Sequence, residues 1–180
     1  MKKLITLVLA MVIGMFAQAQ LFSTQTGKVG FFSKTPIEDI DGTSLSVLAV
    51  LNASKNEMAI IITNTTFSFP NKLMEEHFNE KYMQSDMFPT STFKGKINET
   101  VDLSKDGEYK VTVTGKLNIH GVEVERTIPG NISVKNGEIR LVSNFPVKNA
   151  DHKIEIPKLV VSKIAETLDV SVDIILLPKK

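Results

Sequence analysis

Between Tyr109 and Val147 apolar and polar residues alternate with almost no interruption, and this limits the chain to few folds. Tyr109, Val111, Val113, Gly115, Leu117 and Ile119 share one parity, with Lys110, Thr112, Thr114, Lys116, Asn118 and His120 on the other. A period of two is that of a strand with one dry and one wet face. The chain turns at His120-Gly121 and repeats the pattern, with Val122, Val124, Ile128, Ile132 and Val134 inward. Asn136-Gly137 then forms a second hairpin signal, since both central positions of a type I′ turn need positive φ. Ile139, Leu141, Phe145 and Val147 carry a third strand. Strands of about ten residues or more exceed the usual five or six, and long antiparallel strands joined by tight turns predict a curled sheet or barrel.

Around this meander further strands are expected over 27–33, 42–51, 57–69 and 92–97, and a last one carries Leu168, Val170, Val172 and Ile174 inward. In the second, Leu45, Val47, Ala49 and Leu51 share the inward parity. Ile60-Ile61-Ile62 leaves the inward face of the third ambiguous, which a bulge or two-sided burial would explain. After Pro70, Asn71 can cap a short helix over 72–79, with Met74 and Phe78 one turn apart. Such a helix should lie across something apolar to persist. The predicted fold is therefore all-β, an eight-stranded antiparallel barrel of lipocalin-like type with a short covering helix. A barrel of that size either fills with side chains or holds one small ligand.

Residues 1–19 read as a secretory signal peptide: Lys2 and Lys3, an apolar run from Leu4 to Phe16, and Ala17-Gln18-Ala19 for cleavage before Gln20. An uncleaved anchor is the alternative, but the run is shorter than the roughly 20 residues that a span needs. One domain over 20–180 is expected, periplasmic or secreted, with no membrane span once the leader is removed. The absence of cysteine excludes a disulfide framework, thiol chemistry and a lipoprotein anchor. A net charge of +1, with scattered Lys and Arg, gives no case for nucleic acid.

Four segments, taken in order, carry a resemblance: Gly27-Lys28-Val29-Gly30-Phe31-Phe32-Ser33, Phe67-Ser68-Phe69, Met87 through Gly95 (MFPTSTFKG), and Thr114 through Val122 (TGKLNIHGV). Together they resemble the YceI-like family of bacterial exported proteins, over essentially the whole mature chain. The resemblance implies a lipocalin-like barrel, closed over by a helix, that binds a long polyisoprenoid or similar amphiphile in its bore. At the closing segment many members have Arg or Asp, then an aromatic and Gly. Here Asn149-Ala150-Asp151-His152-Lys153 stands instead, which implies a different head-group preference if the segment touches the ligand.

The residues themselves leave the bore open to two readings. Phe31, Phe67, Phe69, Phe78, Phe88 and Phe93 fall on inward faces or on the cover, with Val113, Leu117 and Ile119 on the meander, and Gly95 and Gly115 would leave room. Inward aromatics can equally be plain core, and inward glycines can relieve curvature. Arg126 shares the parity of Val124 and Ile128. A bulge at Arg126-Thr127 would turn it outward, and otherwise it would meet a polar head group. His77, His120 and His152 lack ligand-like spacing and are expected to face solvent, and the acidic loop of Glu38, Asp39 and Asp41 lacks the spacing of a calcium site. No metal and no cofactor is expected beyond a bound polyisoprenoid or quinone-like lipid. No hydrolase or phosphate-loop motif is present. The expected function is thus a non-catalytic carrier of an isoprenoid or other long-chain lipid. The alternative is a filled-core envelope stress or protein-interaction module, and a homodimer stays open.

Overall fold

The computed structural model describes residues 21–179, and the leader read over 1–19 lies outside them. Ten strand segments make one sheet: β1 (Leu21–Thr24), β2 (Lys28–Lys34), β3 (Asp39–Ser44), β4 (Val47–Asn52), β5 (Glu57–Thr63), β6 (Thr90–Ile97), β7 (Gly107–Ile119), β8 (Val122–Lys135), β9 (Glu138–Lys148) and β10 (Thr167–Pro178). The sheet closes because one edge of β10 takes both β2, through Asp169 to Asp173, and β1, through Leu177 and Pro178. β1 in turn pairs with β4, and β2 with β3. The segments β1 and β2 thus act as one kinked strand, as do β3 and β4. With these counted singly, the barrel has eight antiparallel strands, as the pattern predicts.

The meander is regular in its turns and in the β7–β8 ladder, whereas β8 and β9 pair only from Asn131↔Val142 to Lys135↔Glu138. β7, β8 and β9 run for 13, 14 and 11 residues. Their turns use positive φ at His120, Gly121, Asn136 and Gly137. Register between β7 and β8 is continuous from Ile119↔Val122 to Gly107↔Val134, passing through Gly115↔Arg126 and Thr114↔Thr127. The expected bulge at Arg126-Thr127 is therefore absent.

Local breaks occur elsewhere, each with a physical cause. β1 is not expected from the sequence, because four residues carry too little alternation to register. At Leu45-Ser46 the inward parity switches from even to odd: Ser44 and Val47 are buried, whereas Leu45 is exposed rather than inward. Ser44 Oγ stabilises the break by accepting from Ser46 N at 3.2 Å and pairing with Thr66 Oγ1 at 2.7 Å. In β5 the ladder is unbroken, with Met58, Ile60 and Ile62 inward and Ile61 outward. The irregularity expected there comes just beyond, in a 3-10 turn at Asn64–Thr66 that swaps parity and turns Phe67 and Phe69 inward.

Helix α1 (Lys72–His77) continues into a π-turn over Phe78–Tyr82, and Asn71 caps it by accepting from Leu73 N at 2.8 Å. None of its six residues is buried. By itself so short a helix is unstable in water. It persists across the barrel end, where Phe78 joins Phe31, Phe67 and Phe69 with ring centroids 5.1–5.8 Å apart.

Candidate ligand-binding site

The interior is divided across its length. At the end near the β8–β9 turn, Phe22, Leu51, Ile97, Val111, Ile132, Val134, Ile139, Ile174 and Leu176 are all buried and pack together, and none borders open space. Further along each strand toward the other end, the same face lines a cavity of about 430 Å³. Val113 follows Val111 on β7, Ile128 follows Ile132 on β8, Leu141 follows Ile139 on β9, and Val172 follows Ile174 on β10. A packed floor thus supports an open upper half. Both readings of the bore hold, each over part of its length.

The cavity wall is almost wholly apolar. Eight of the residues picked out from the sequence border it: Phe31, Phe67, Phe69, Phe78, Phe93, Val113, Leu117 and Ile119. Phe145 and Met74, read as inward on β9 and as one turn from Phe78 on the helix, border it too, and others carry no aromatic or parity signal strong enough to single out, among them Met58, Ile60 and, from the stretch after β9, Ile154, Ile156, Val160 and Ile164. Most polar wall groups are already engaged by the protein. Ser143 Oγ donates to Pro129 O at 2.6 Å, Ser91 Oγ to Asn64 Oδ1 at 2.8 Å, and Ser33 Oγ accepts from Ala165 N at 2.9 Å. Satisfied in this way, they present little polarity to the bore.

Four residues singled out from the sequence stand outside the wall. Gly115 does not make room in the bore: a Cβ there would come within 2.2 Å of Lys94 O and 2.4 Å of Gly95 Cα. It lets the backbones of β6 and β7 approach where the sheet bends. Gly95 is likewise covered, by the Phe93 ring and Val113. Phe88 packs edge-on to the His120 ring, with centroids 4.6 Å apart, and over Gly121. Arg126 keeps its inward parity without a bulge, but its guanidinium is held at the barrel end, donating to Pro146 O at 2.8 Å and lying 4.0 Å from Asp151 Oδ2. It does not border the cavity.

The histidines are not solvent-facing as expected. His77 borders the cavity from α1. His120 spans Gln84 Oε1 at 3.0 Å and His152 O at 3.2 Å. His152 is fully buried in a 3-10 turn, Asn149–His152, with Nδ1 3.0 Å from Val122 O. Since a carbonyl only accepts, Nδ1 carries the proton, and Nε2 is buried without a hydrogen-bond partner. Burial holds this imidazole below the usual histidine pKa of 6.5.

The mouth is ringed by three segments: the β2–β3 turn, α1 with its π-turn, and the stretch from Lys153 to Glu166. Asn71, His77, Tyr82, Glu38 and Lys163 border the cavity there. Lys163 Nζ lies 3.5 Å from Glu38 Oε2. Burial pushes the Tyr82 phenol up, so it stays neutral and able to donate.

Fold and site define a class: a closed antiparallel barrel, packed at one end, with an apolar cavity under a helical cover at the other. The YceI-like domain model matches residues 14–176, and the chain belongs to that family. Among solved structures, it is similar to a polyisoprenoid-binding domain from Saccharophagus degradans implicated in plant cell wall breakdown, at TM-score 0.77 and 14% identity over 90% of this chain and 100% of that one. It is also similar to Burkholderia cenocepacia BcnA, at TM-score 0.70 and 18% identity over 83% and 95%. A Campylobacter jejuni YceI protein follows at TM-score 0.58 and 18% identity, over 75% and 81%. No curated protein matches the sequence significantly.

Proposed function

We propose that this protein is an exported, non-catalytic carrier that holds the tail of a long-chain isoprenoid lipid in the upper half of its barrel. The observation that carries this reading is the apolar cavity of about 430 Å³ above a packed floor, which suits a chain that enters by one end. Each buried methylene contributes about 0.8 kcal/mol, so an isoprene unit contributes roughly 3 to 4 kcal/mol at most. Several units offset an association cost of roughly 4 to 15 kcal/mol without any charge in the bore. The polar head then rests at the mouth among His77, Tyr82 and Lys163, rather than at Arg126. Membership of the family and the likeness to a polyisoprenoid-binding domain support the ligand class. The leader read over 1–19 supports export to the periplasm or beyond.

Absence of catalysis is part of the reading. Among the described residues, no hydroxyl in the cavity wall is hydrogen-bonded to a histidine or carboxylate, so no activated nucleophile faces the tail.

Two substitutions on one face of β7 test the carrier. Leu117→Trp adds bulk to the hollow half, and is expected to change stability by about 1 kcal/mol or less while abolishing binding of a long-chain isoprenyl quinone. Val111→Phe adds bulk to the packed floor, and is expected to cost about 1 to 3 kcal/mol while sparing binding in the folded fraction. Undiminished quinone binding by Leu117→Trp would count against the carrier.

A further inference from the structure

Four large apolar side chains stand in solvent around the mouth. They are Ile37 in the β2–β3 turn, Leu73 on α1, and Leu159 and Val161 in the stretch after β9, with Leu159 93% and Leu73 55% exposed. Their segments meet around one opening: Glu38 and Lys163 face each other across it, and Leu73 and Val160 border the cavity directly. Scattered exposed leucines need no explanation, but a ring of them at the rim of an apolar cavity does.

We propose that this rim inserts into the surface of a lipid bilayer, so that the cavity opens onto the membrane interior rather than onto water. The inference rests on the carrier reading and supplies its loading step. A tail leaving a bilayer for the bore would otherwise cross water, exposing each methylene at about 0.8 kcal/mol. With Leu159 and Ile37 sunk among the acyl chains, the apolar path is continuous, because Leu73 belongs both to the rim and to the wall. Charge is not the driving term. Both signs are interspersed around the mouth: Lys34 stands opposite Asp39 in the β2–β3 register, Lys163 faces Glu38, and Glu155 lies three residues before Lys158, so insertion by apolar area is the expected mode.

The chain contains no tryptophan, so one placed at the rim reports alone. Leu159→Trp is compared with Glu138→Trp, an exposed position beside the turn at the packed end. Both are mixed with vesicles of phosphatidylethanolamine and phosphatidylglycerol at low and high salt. The proposal expects a blue shift and quenching by brominated acyl chains at 159 only, little altered by salt, and roughly tenfold weaker partition when Ile37→Asp and Leu73→Asp are added. An unshifted 159 probe at saturating vesicles, or equal shifts at both sites, would overturn it. Binding of isoprenyl quinone in detergent-free solution is measured on the same variants. Retained quinone binding with no shift at 159 rejects membrane docking and leaves the carrier standing, with a protein acceptor then the expected partner of the rim.

Discussion

Ile128 and Ile132 share the inward face of β8, yet Ile132 is sealed on every side at 0% exposure while Ile128 borders the cavity. Truncation should therefore separate them. Ile132→Ala leaves a void in packed surroundings and is expected to cost about 4 kcal/mol, within the roughly 2 to 5 seen for buried aliphatic side chains. Ile128→Ala only enlarges an existing space, and is expected to cost about half as much in the lipid-free protein. Urea unfolding of both, after delipidation, measures the difference. Equal costs would mean that the upper half is packed as tightly as the floor.

Gly115 and Gly130 lie at barrel positions with very different neighbours. A Cβ at 115 meets the Lys94 carbonyl of β6 well inside contact distance, and backbone cannot swing aside as a side chain can. Gly115→Ala is expected to cost about 3 kcal/mol and to loosen the β6–β7 pairing. At Gly130 the nearest atom would be Val142 O at 3.3 Å, and alanine should cost about 1 kcal/mol or less. Thermal unfolding with amide exchange across Phe93–Ile97 checks both.

These contrasts show how much of the barrel was legible beforehand. The two-residue alternation of β7–β10 is long, so these four strands and most of their inward residues follow from parity alone. Parity also carries through a true break without marking it, which is why Leu45 reads as inward. It cannot distinguish Val111 from Val113, both apolar and inward, although one is floor and the other wall. That difference depends on depth along the barrel axis, which a strand pattern does not contain. Of the rim, Ile37, Leu159 and Val161, like the wall residues from Ile154 to Ile164, belong to irregular backbone, and irregular backbone has no period to read. His152 looked solvent-facing because a lone histidine among Asp151 and Lys153 gives no sign that the turn folds inward.

Burial of neutral His152 predicts a specific pH dependence. Its folded pKa lies below the unfolded value near 6.5, so above that pH both states are neutral and the group has no effect. As pH falls below about 6.5, the unfolded chain takes up a proton that the folded chain refuses, and stability is lost progressively toward the depressed folded value. Asp173, lowered by its hydrogen bond from Arg140, and Asp102, lowered to about 2 by Lys105 and Ser104, act in a more acid range below about pH 4. The melting temperature should therefore fall between pH 7 and 5, and His152→Gln should flatten that fall. In the wild type, ¹⁵N spectra of the ring should show Nδ1–H and a bare Nε2 at neutral pH. A His152 that protonates near 6.5 would contradict this.

Asn71 holds the start of α1, which has no buried residue of its own to anchor it. Asn71→Ala is expected to cost about 1 kcal/mol, and to appear mainly as faster lipid release because the cover, not the barrel, is loosened. Stopped-flow transfer of a fluorescent isoprenoid to excess acceptor vesicles measures that rate, with urea unfolding as the check on the barrel.

Mass spectrometry of an organic extract decides the central claim most directly. Mature protein purified without detergent is compared with the same protein refolded from denaturant and with Leu117→Trp. A long-chain isoprenoid at close to one per protein in the native sample, absent from the other two, is the predicted result. A folded native sample whose extract holds no long-chain lipid would contradict the account and leave the upper half of the barrel without an isoprenoid to carry.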